Sequence, residues 1–498
     1  MSALNSALTE ESKYQVLNSQ LTRPLTISKL EFVGGDFNDK YYENLVKNIL
    51  PQEAADKNAV LSLRAVNDEL LSIENSLSNT GLFSKISIDL DVDESAVSPT
   101  LIKGESSTFS SSGSGLIPVK AKFNLTQLPL FRYSSYSSIL DDGSSVGFRY
   151  SNPNFLRNSS SLLLDTNFHY DILSNRLNHK LLNLNILLPL PSQSKTKVIF
   201  NPTLATIDAT KWASHEQVAA GALLGLQQTN VCPCSKAVTV LTAGVSFTDR
   251  KLTSIADSAS DLIKASSGDD LKFAGQFNVK VDSRIYQDKF VKSGTLVSLT
   301  NEYAAFNGVS AFAEASKAKK NVPFLNFAKT VFDFSTTSSF LSDIFTTQLQ
   351  FQAGHIVDFS KGKLHLTDKF FLGGDSTLKG FQLNSVGLKD GKDFVGGTSV
   401  WRLNLGLFSR LPNVPASSPL RIYSFFNVGD NYNFKSAAEA SDLILSGAVL
   451  NSASAVGTGI VYKANNAVLD LSYNVPLSVR GQDSAKPGFS LNASLNFF

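Results

Sequence analysis

Two residue types are scarce in this 498-residue chain, and one kind of segment is missing. There are two cysteines, Cys232 and Cys234, close together in Val231-Cys232-Pro233-Cys234-Ser235. They cannot build a disulfide framework. A zinc site would need further ligands nearby, and the five histidines are scattered, so no metal is expected. Charged residues are 18 %, below the quarter or so usual in globular proteins. Net charge is +2, with no polybasic excess to engage nucleic acid. No apolar run approaches the ~20 residues of a membrane-spanning helix. The densest stretch, Leu181 to Leu190, is interrupted by Asn183, Asn185 and Pro189. A helical membrane protein is therefore excluded. A β-barrel is not, because its signature is alternation.

Residues 1–24 read as a flexible segment. Met1 to Arg23 is polar and lacks both the apolar core of a secretory signal and the Arg-rich, acid-poor character of a presequence. That fits an organelle barrel made in the cytosol; the alternative is a mature chain whose signal has been removed. Residues 25–128 read as a small α+β unit. Leu25 to Val33 is a strand, Asn38 caps a helix running to about Leu50, and a second helix carries Leu63, Val66, Leu70, Ile73 and Leu77 on one face. It stops at Asn79-Thr80-Gly81. Strands follow at Phe83 to Val92 and Val119 to Leu125, separated by a Ser/Gly-rich loop from Glu94 to Gly115. The order is β-α-α-β-β.

From residue 129 to 498 a period of two replaces helical spacing. In Ala467 to Val475 one face is Ala467, Leu469, Leu471, Tyr473 and Val475, and the other Val468, Asp470, Ser472 and Asn474. Phe489 to Phe497 sets Phe489, Leu491, Ala493, Leu495 and Phe497 against Ser490, Asn492, Ser494 and Asn496. One face is apolar, the other too polar for a sandwich core. Lipid outside and a wet lumen accept both. A large soluble sandwich or propeller is the alternative, and no blade-length repeat supports it. The expected fold is an all-β transmembrane barrel of about sixteen antiparallel strands behind one α+β domain. The longest interruption, about 359 to 395, is long enough to be functional.

That interruption holds Gly373-Gly374-Asp375-Ser376-Thr377-Leu378-Lys379-Gly380-Phe381. It resembles the sixth-loop signature of the bacterial surface antigen superfamily, the barrel-assembly and polypeptide-translocation proteins, and falls between the eleventh and twelfth strands as it does there. The N-terminal unit resembles a polypeptide-transport-associated domain, with Gly81-Leu82-Phe83 at its helix-to-strand junction. Asn152-Pro153-Asn154-Phe155-Leu156 resembles an early turn of the family. Ser409-Arg410-Leu411-Pro412 and Phe425-Phe426-Asn427-Val428-Gly429 resemble segments of its mitochondrial branch, the core barrel of the sorting and assembly machinery. The resemblance covers about residues 25 to 498.

The resemblance implies insertion of β-barrel precursors into the mitochondrial outer membrane, with peripheral accessory subunits on the cytosolic face and the N-terminal domain in the intermembrane space. Precursors would enter a lateral gate between the first and last strands, here Phe131, Tyr133, Ser135 and Ser137 against Gly488, Phe489 and Leu491. Serines in the first strand, and Pro487 at the entry to the last, suit a weak seam. A cysteine at Ser135 is expected to reach one near Leu491. The loop motif, Leu378 to Phe381, is expected to fold into the lumen. Two positions depart from the family pattern: its loop Arg is Lys379, and an Asp often found in the thirteenth strand is Asn427. Lys379 is therefore expected to make a single charge–dipole bond to Asn427. Strand parity turns Arg421, Tyr423 and Asn427 into the lumen. The rival reading is a passive or polypeptide-conducting pore. No phosphate loop, metalloprotease motif or nucleophile elbow occurs, so neither catalysis nor a cofactor is expected.

Overall fold

The computed structural model describes residues 24–37, 61–78, 80, 82–92, 117–129, 131–140, 143–171, 176–190, 193–232, 237–287, 289–308, 326–359, 364–412, 414–415, 417–434 and 451–497. The chain divides into two compact units. One comprises residues 1–131 with 152–161 and 188–195; the other holds the remainder.

In the first unit, β1 (Pro24–Val33), β2 (Leu61–Ser62), β3 (Phe83–Val92) and β4 (Ile117–Gln127) form a sheet of order β2-β1-β4-β3. Strand β1 runs parallel to β4, and β3 antiparallel to it. The expected three strands are thus joined by a fourth, two-residue edge strand. Too short to show a period, it leads directly into helix α1 (Leu63–Ser78). The Ser62 hydroxyl accepts from the Ala65 amide at 3.2 Å and caps that helix. Val66, Leu70, Ile73 and Leu77 recur at three-and-four spacing, are all at most 1 % exposed, and pack on Val119, Ala121, Phe123 and Leu125. Truncating any of the three larger side chains to alanine should cost about 2–5 kcal/mol. The expected helix from Asn38, Gly81 of the junction, and the Glu94–Gly115 loop lie outside the described residues.

The second unit is a closed barrel. Its strands are β5 (Arg132–Leu140), β6 (Gly143–Asn152), β7 (Ser161–Asp171), β8 (Arg176–Leu190), β9 (Gln193–Asp208), β10 (Glu216–Val231), β11 (Val238–Thr253), β12 (Gly268–Asp282), β14 (Phe290–Gly308), β15 (Phe327–Phe340), β16 (Phe345–Asp358), β19 (Ser399–Ser409), β20 (Leu420–Tyr432), β21 (Ala453–Lys463), β22 (Ala467–Ser478) and β23 (Gly488–Phe497). Each matches an expected strand to within a few residues. A short β13 (Ile285–Gln287) pairs beside the start of β14, and β17 (Lys389–Asp390) with β18 (Asp393–Phe394) makes a hairpin inside the long loop. A short helix α2 (Asp261–Ala265) sits between β11 and β12.

Alternation sorts the wall. On β22, Leu469, Leu471, Tyr473 and Val475 are exposed outward, while Ser472 and Asn474 are at most 2 % exposed inside. Lipid takes the first set, and the second bonds within the lumen. Closure leaves no edge facing hydrocarbon, which is what permits strands to cross a membrane. Among the described residues no helix is long and apolar enough to do so. Strand length varies around the wall: β10 and β11 have 16 residues each, β5 has 9 and β23 has 10. Cys232 is exposed at the turn after β10, and Cys234 lies outside the described residues.

Candidate functional site: the inward loop and the barrel seam

The loop between β16 and β19 is held at its root, its tip and its far end. At the root, Asp368 is 3 % exposed and receives Arg250 Nη1 at 2.7 Å and Lys272 Nζ at 3.0 Å. Arg250 Nε also donates to Asp270 at 2.6 Å, Lys272 pairs with Glu302 at 2.8 Å, and Lys329 donates to the Asp368 carbonyl at 2.8 Å. Buried charges persist only when paired and bonded in this way. His365 caps the short 3-10 turn Leu366–Asp368 by accepting from the Thr367 amide. Burial, and then the neighbouring Arg250 charge, hold its imidazole down to about 4.

At the tip, Thr377 Oγ1 donates to the Gly373 carbonyl at 2.7 Å, and the Leu378 amide to Gly374 at 2.8 Å, closing the motif on itself. Leu378 and Phe381 are at most 1 % exposed, in a cluster with Leu372, Val386, Val400, Ala453 and Ala455. Gly380 has φ +87°, and a Cβ there would lie 2.9 Å from that of Ala455, so the loop backbone rests directly on β21. Lys379 Nζ donates to Asp470 at 2.8 Å and to Tyr423 Oη at 2.7 Å; Tyr423 in turn bonds Asp470. Its charge also lies 5.1 Å from the Tyr423 ring centroid.

Beyond the tip the loop joins the chain leading into β23. Gln382 N donates to Ser484 O at 3.0 Å, Lys486 N to Gly380 O at 2.8 Å, and Phe381 bridges Ala485. Asp483 accepts the Gly387 amide at 3.0 Å and pairs with Arg480, which also holds the buried Asp430. Asp393 binds Ser214 N at 2.9 Å and Ser260 N at 2.8 Å, tying the loop to the β9–β10 and β11–β12 connections.

The seam is the pairing of β23 with β5: Ala493–Ile139, Ser494–Ser138, Leu495–Ser137, Asn496–Tyr136 and Phe497–Ser135. These are five pairs, where the flanking β22–β23 and β5–β6 ladders have eight and nine.

An Omp85 superfamily domain matches residues 133–497. The chain belongs to the Omp85 superfamily. Among curated relatives, it is 26 % identical over 64 % of its length to a SAM50-like protein of Schizosaccharomyces pombe, of which the match covers 63 %. It is 27 % identical over half its length to half of the mouse sorting and assembly machinery component 50 homolog. A Saccharomyces cerevisiae sorting assembly machinery 50 kDa subunit matches at 28 % over 34 % of this chain and 36 % of that protein. The chain thus spans less than two thirds of these relatives' own lengths. Among solved structures, BamA from Haemophilus ducreyi lacking POTRA domains 1–3 overlays with TM-score 0.69, at 14 % identity, over 95 % of this chain and 85 % of that one. CdiB from Acinetobacter baumannii gives 0.56, at 12 % identity, over 95 % and 74 %. Both likenesses are of fold.

Within this Omp85 barrel, Gly373, Gly374, Asp375, Leu378, Lys379, Gly380 and Phe381 come together with Asn427. Asp375 lines a cavity of ≈ 290 Å³ shared with Lys379, Asn427 and Asp470. The expected charge–dipole bond is corrected: Asn427 Nδ2 donates to the Lys379 carbonyl at 3.2 Å, while the ammonium goes to Asp470. Arg421, Tyr423 and Asn427 are all buried inward. Arg421, however, is six residues from Asn427, roughly 20 Å along the strand. It bonds the Ser418 and Leu420 carbonyls instead of facing the loop tip. The expected Ser135–Leu491 match is also corrected. Ser135 stands opposite Phe497, and Leu491, Phe489 and Gly488 pair with Leu471, Tyr473 and Asn474 of β22. Phe131 and Tyr133 are exposed, and Tyr133 pairs with Tyr150 of β6. Ser137 lies in the seam, opposite Leu495. The Asp368 cluster was missed. Its signal was a row of lumen-parity cations and acids, Arg250, Lys272, Lys329 and Glu302, on four strands.

Proposed function

We propose that this protein inserts and assembles β-barrel precursor proteins in the mitochondrial outer membrane, through an opening between β5 and β23. The observation that carries the reading is the join at Gly380–Gln382: the loop tip is hydrogen-bonded to the segment entering the last strand, beside a ladder of five pairs. Parting that ladder breaks about five backbone hydrogen bonds, on the order of 3–8 kcal/mol at their net value in water. The sixteen-pair β10–β11 ladder would cost about three times as much. An opened strand offers unpaired amides and carbonyls on which a precursor strand can template. The work is exchange of backbone pairing, and no covalent step is assigned. The printed names of the relatives support a sorting and assembly complex. On this reading peripheral accessory subunits bind on the cytosolic face, and the N-terminal unit lies in the intermembrane space.

The test is a disulfide set in the observed register. Cysteine pairs at Ser137–Leu495 and Ser138–Ser494 are adjacent, so one is a non-hydrogen-bonded pair, and both fall within the ~4.4–6.8 Å Cα span of a disulfide. Oxidation should arrest precursor insertion and reduction restore it. A pair at Thr206–Val218, between β9 and β10, should do neither. Full-rate insertion through a verified seam disulfide would overturn the reading in favour of a passive pore.

A further inference from the structure

We infer that the barrel lumen holds a binding site for a phosphate-class oxyanion, near the rim where β14 and β20 begin. A cavity of ≈ 70 Å³ there is lined by Lys292, Arg410, Arg421 and Lys463, with Phe290, Thr337 and Asp343. Four cations thus face one carboxylate, and that carboxylate is engaged by Lys292 at 2.6 Å. Three positive charges remain. Two share one aromatic ring: Arg421 lies 4.8 Å and Lys463 5.0 Å from the Phe290 centroid, which keeps the charges within about 10 Å of each other. Like charges this close inside a protein repel, and an anion between them relieves the repulsion.

Two donors on the cavity wall point the same way. Thr337 is 5 % exposed, and its hydroxyl is buried without a hydrogen-bond partner among the described residues; so is Arg410 Nε. Buried polar groups are nearly always satisfied, so an orphan pair beside surplus positive charge marks a place for an acceptor. Arg410 Nη2 donates to Gln287 Oε1 at 3.3 Å and Arg421 Nη1 to two backbone carbonyls, so both guanidinium groups are positioned before any ligand arrives. Guanidinium forks, a lysine and a hydroxyl suit a tetrahedral oxyanion. One water needs about 10–15 Å³ by the same measure, so the space takes a phosphate group and excludes a nucleotide.

That group can come as a free ion or on a lipid headgroup, and two arms separate the sources. The full-length protein is purified in a maltoside detergent, free of phosphate. One arm titrates inorganic phosphate and the other phosphatidylglycerol, each against chloride at matched ionic strength, with the unfolding temperature as readout. A saturable rise is expected in at least one arm. Lys463→Gln and Arg410→Gln should each weaken half-saturation by about tenfold or more. Lys463→Arg and the distant Lys251→Gln should leave it unchanged. If one glutamine variant fails to fold in chloride, the other and Thr337→Ala carry the test. A response in the phosphate arm assigns the free ion, and a response only in the lipid arm assigns the headgroup. No saturable rise in either arm, or an equal rise in the glutamine variants, overturns the site.

Discussion

Replacing Gly380 with alanine perturbs the loop at its closest approach to the wall. The residue has φ +87°, a conformation costing an L-residue about 1–2 kcal/mol. The added methyl meets the Ala455 Cβ at 2.9 Å, inside ordinary contact, and relieving that adds about 1–3 kcal/mol. Together the docked loop should lose about 2–5 kcal/mol relative to an undocked one. At 1.4 kcal/mol per decade this shifts the equilibrium roughly 30- to 3000-fold. Hydrogen exchange of the full-length protein reads this directly. The amides of Gln382, Lys486 and Gly387, bonded across the join, should lose protection by that factor, while amides deep in β10 and β11 hold theirs. Ala455→Gly on the same background removes the opposing methyl but not the backbone strain, so it should recover the contact part alone. Exchange unchanged in Gly380→Ala, or no recovery with Ala455→Gly, would refute the account of the loop resting on β21.

Phe381→Ala should empty a site only 1 % exposed, loosening the tip by about 3–5 kcal/mol in exchange, with the protein still membrane-integrated and precursor assembly slowed. Asp368→Asn leaves Arg250 and Lys272 without their shared carboxylate and should cost the loop root about 3–5 kcal/mol, seen as lost protection at Asp368 and Lys369. Lys379→Arg should be neutral or mildly stabilising, because a guanidinium can fork to Asp470, and its loop exchange should match or fall below wild type. His365 is neutral when docked and held down to about 4, against an ordinary value of 6.5. The undocked state binds more protons between those values. Docking strength should therefore be full above pH 6.5 and fall through that window, by ~2 kcal/mol near pH 5. His365→Asn, which keeps the cap, should flatten the dependence of loop exchange on pH.

The barrel was legible because lipid on one side and water on the other impose a period of two on every strand. The elements that were missed, β2, β13 and the β17–β18 hairpin, have two or three residues each, too few to display a period. Parity found the correct face for Arg421, Tyr423, Asn427 and Asp470. It could not choose among them as partners for Lys379, since parity says nothing of depth. Asp470 is 91 residues from Lys379, and only the stagger of the closed barrel sets them at one level. The seam register failed for the same reason. Hairpin turns fix neighbouring strands locally, but β5 and β23 meet only through closure, so Ser135 finds Phe497.

The unequal strands also set a boundary condition on the surrounding bilayer. Ten residues climb about 25 Å along the axis at an ordinary tilt, and sixteen about 40 Å. The hydrocarbon is about 30 Å thick. The flank formed by β5, β6 and β23, with 9 to 10 residues each, is therefore shorter than the lipid it meets, while the flank at β10 and β11 exceeds it. Lipid tails beside the short flank must compress, at fractions of a kcal/mol per ångström. The membrane is thus elastically loaded along one azimuth of the barrel before any partner arrives. A chain leaving at that azimuth crosses less hydrocarbon than it would anywhere else around the wall.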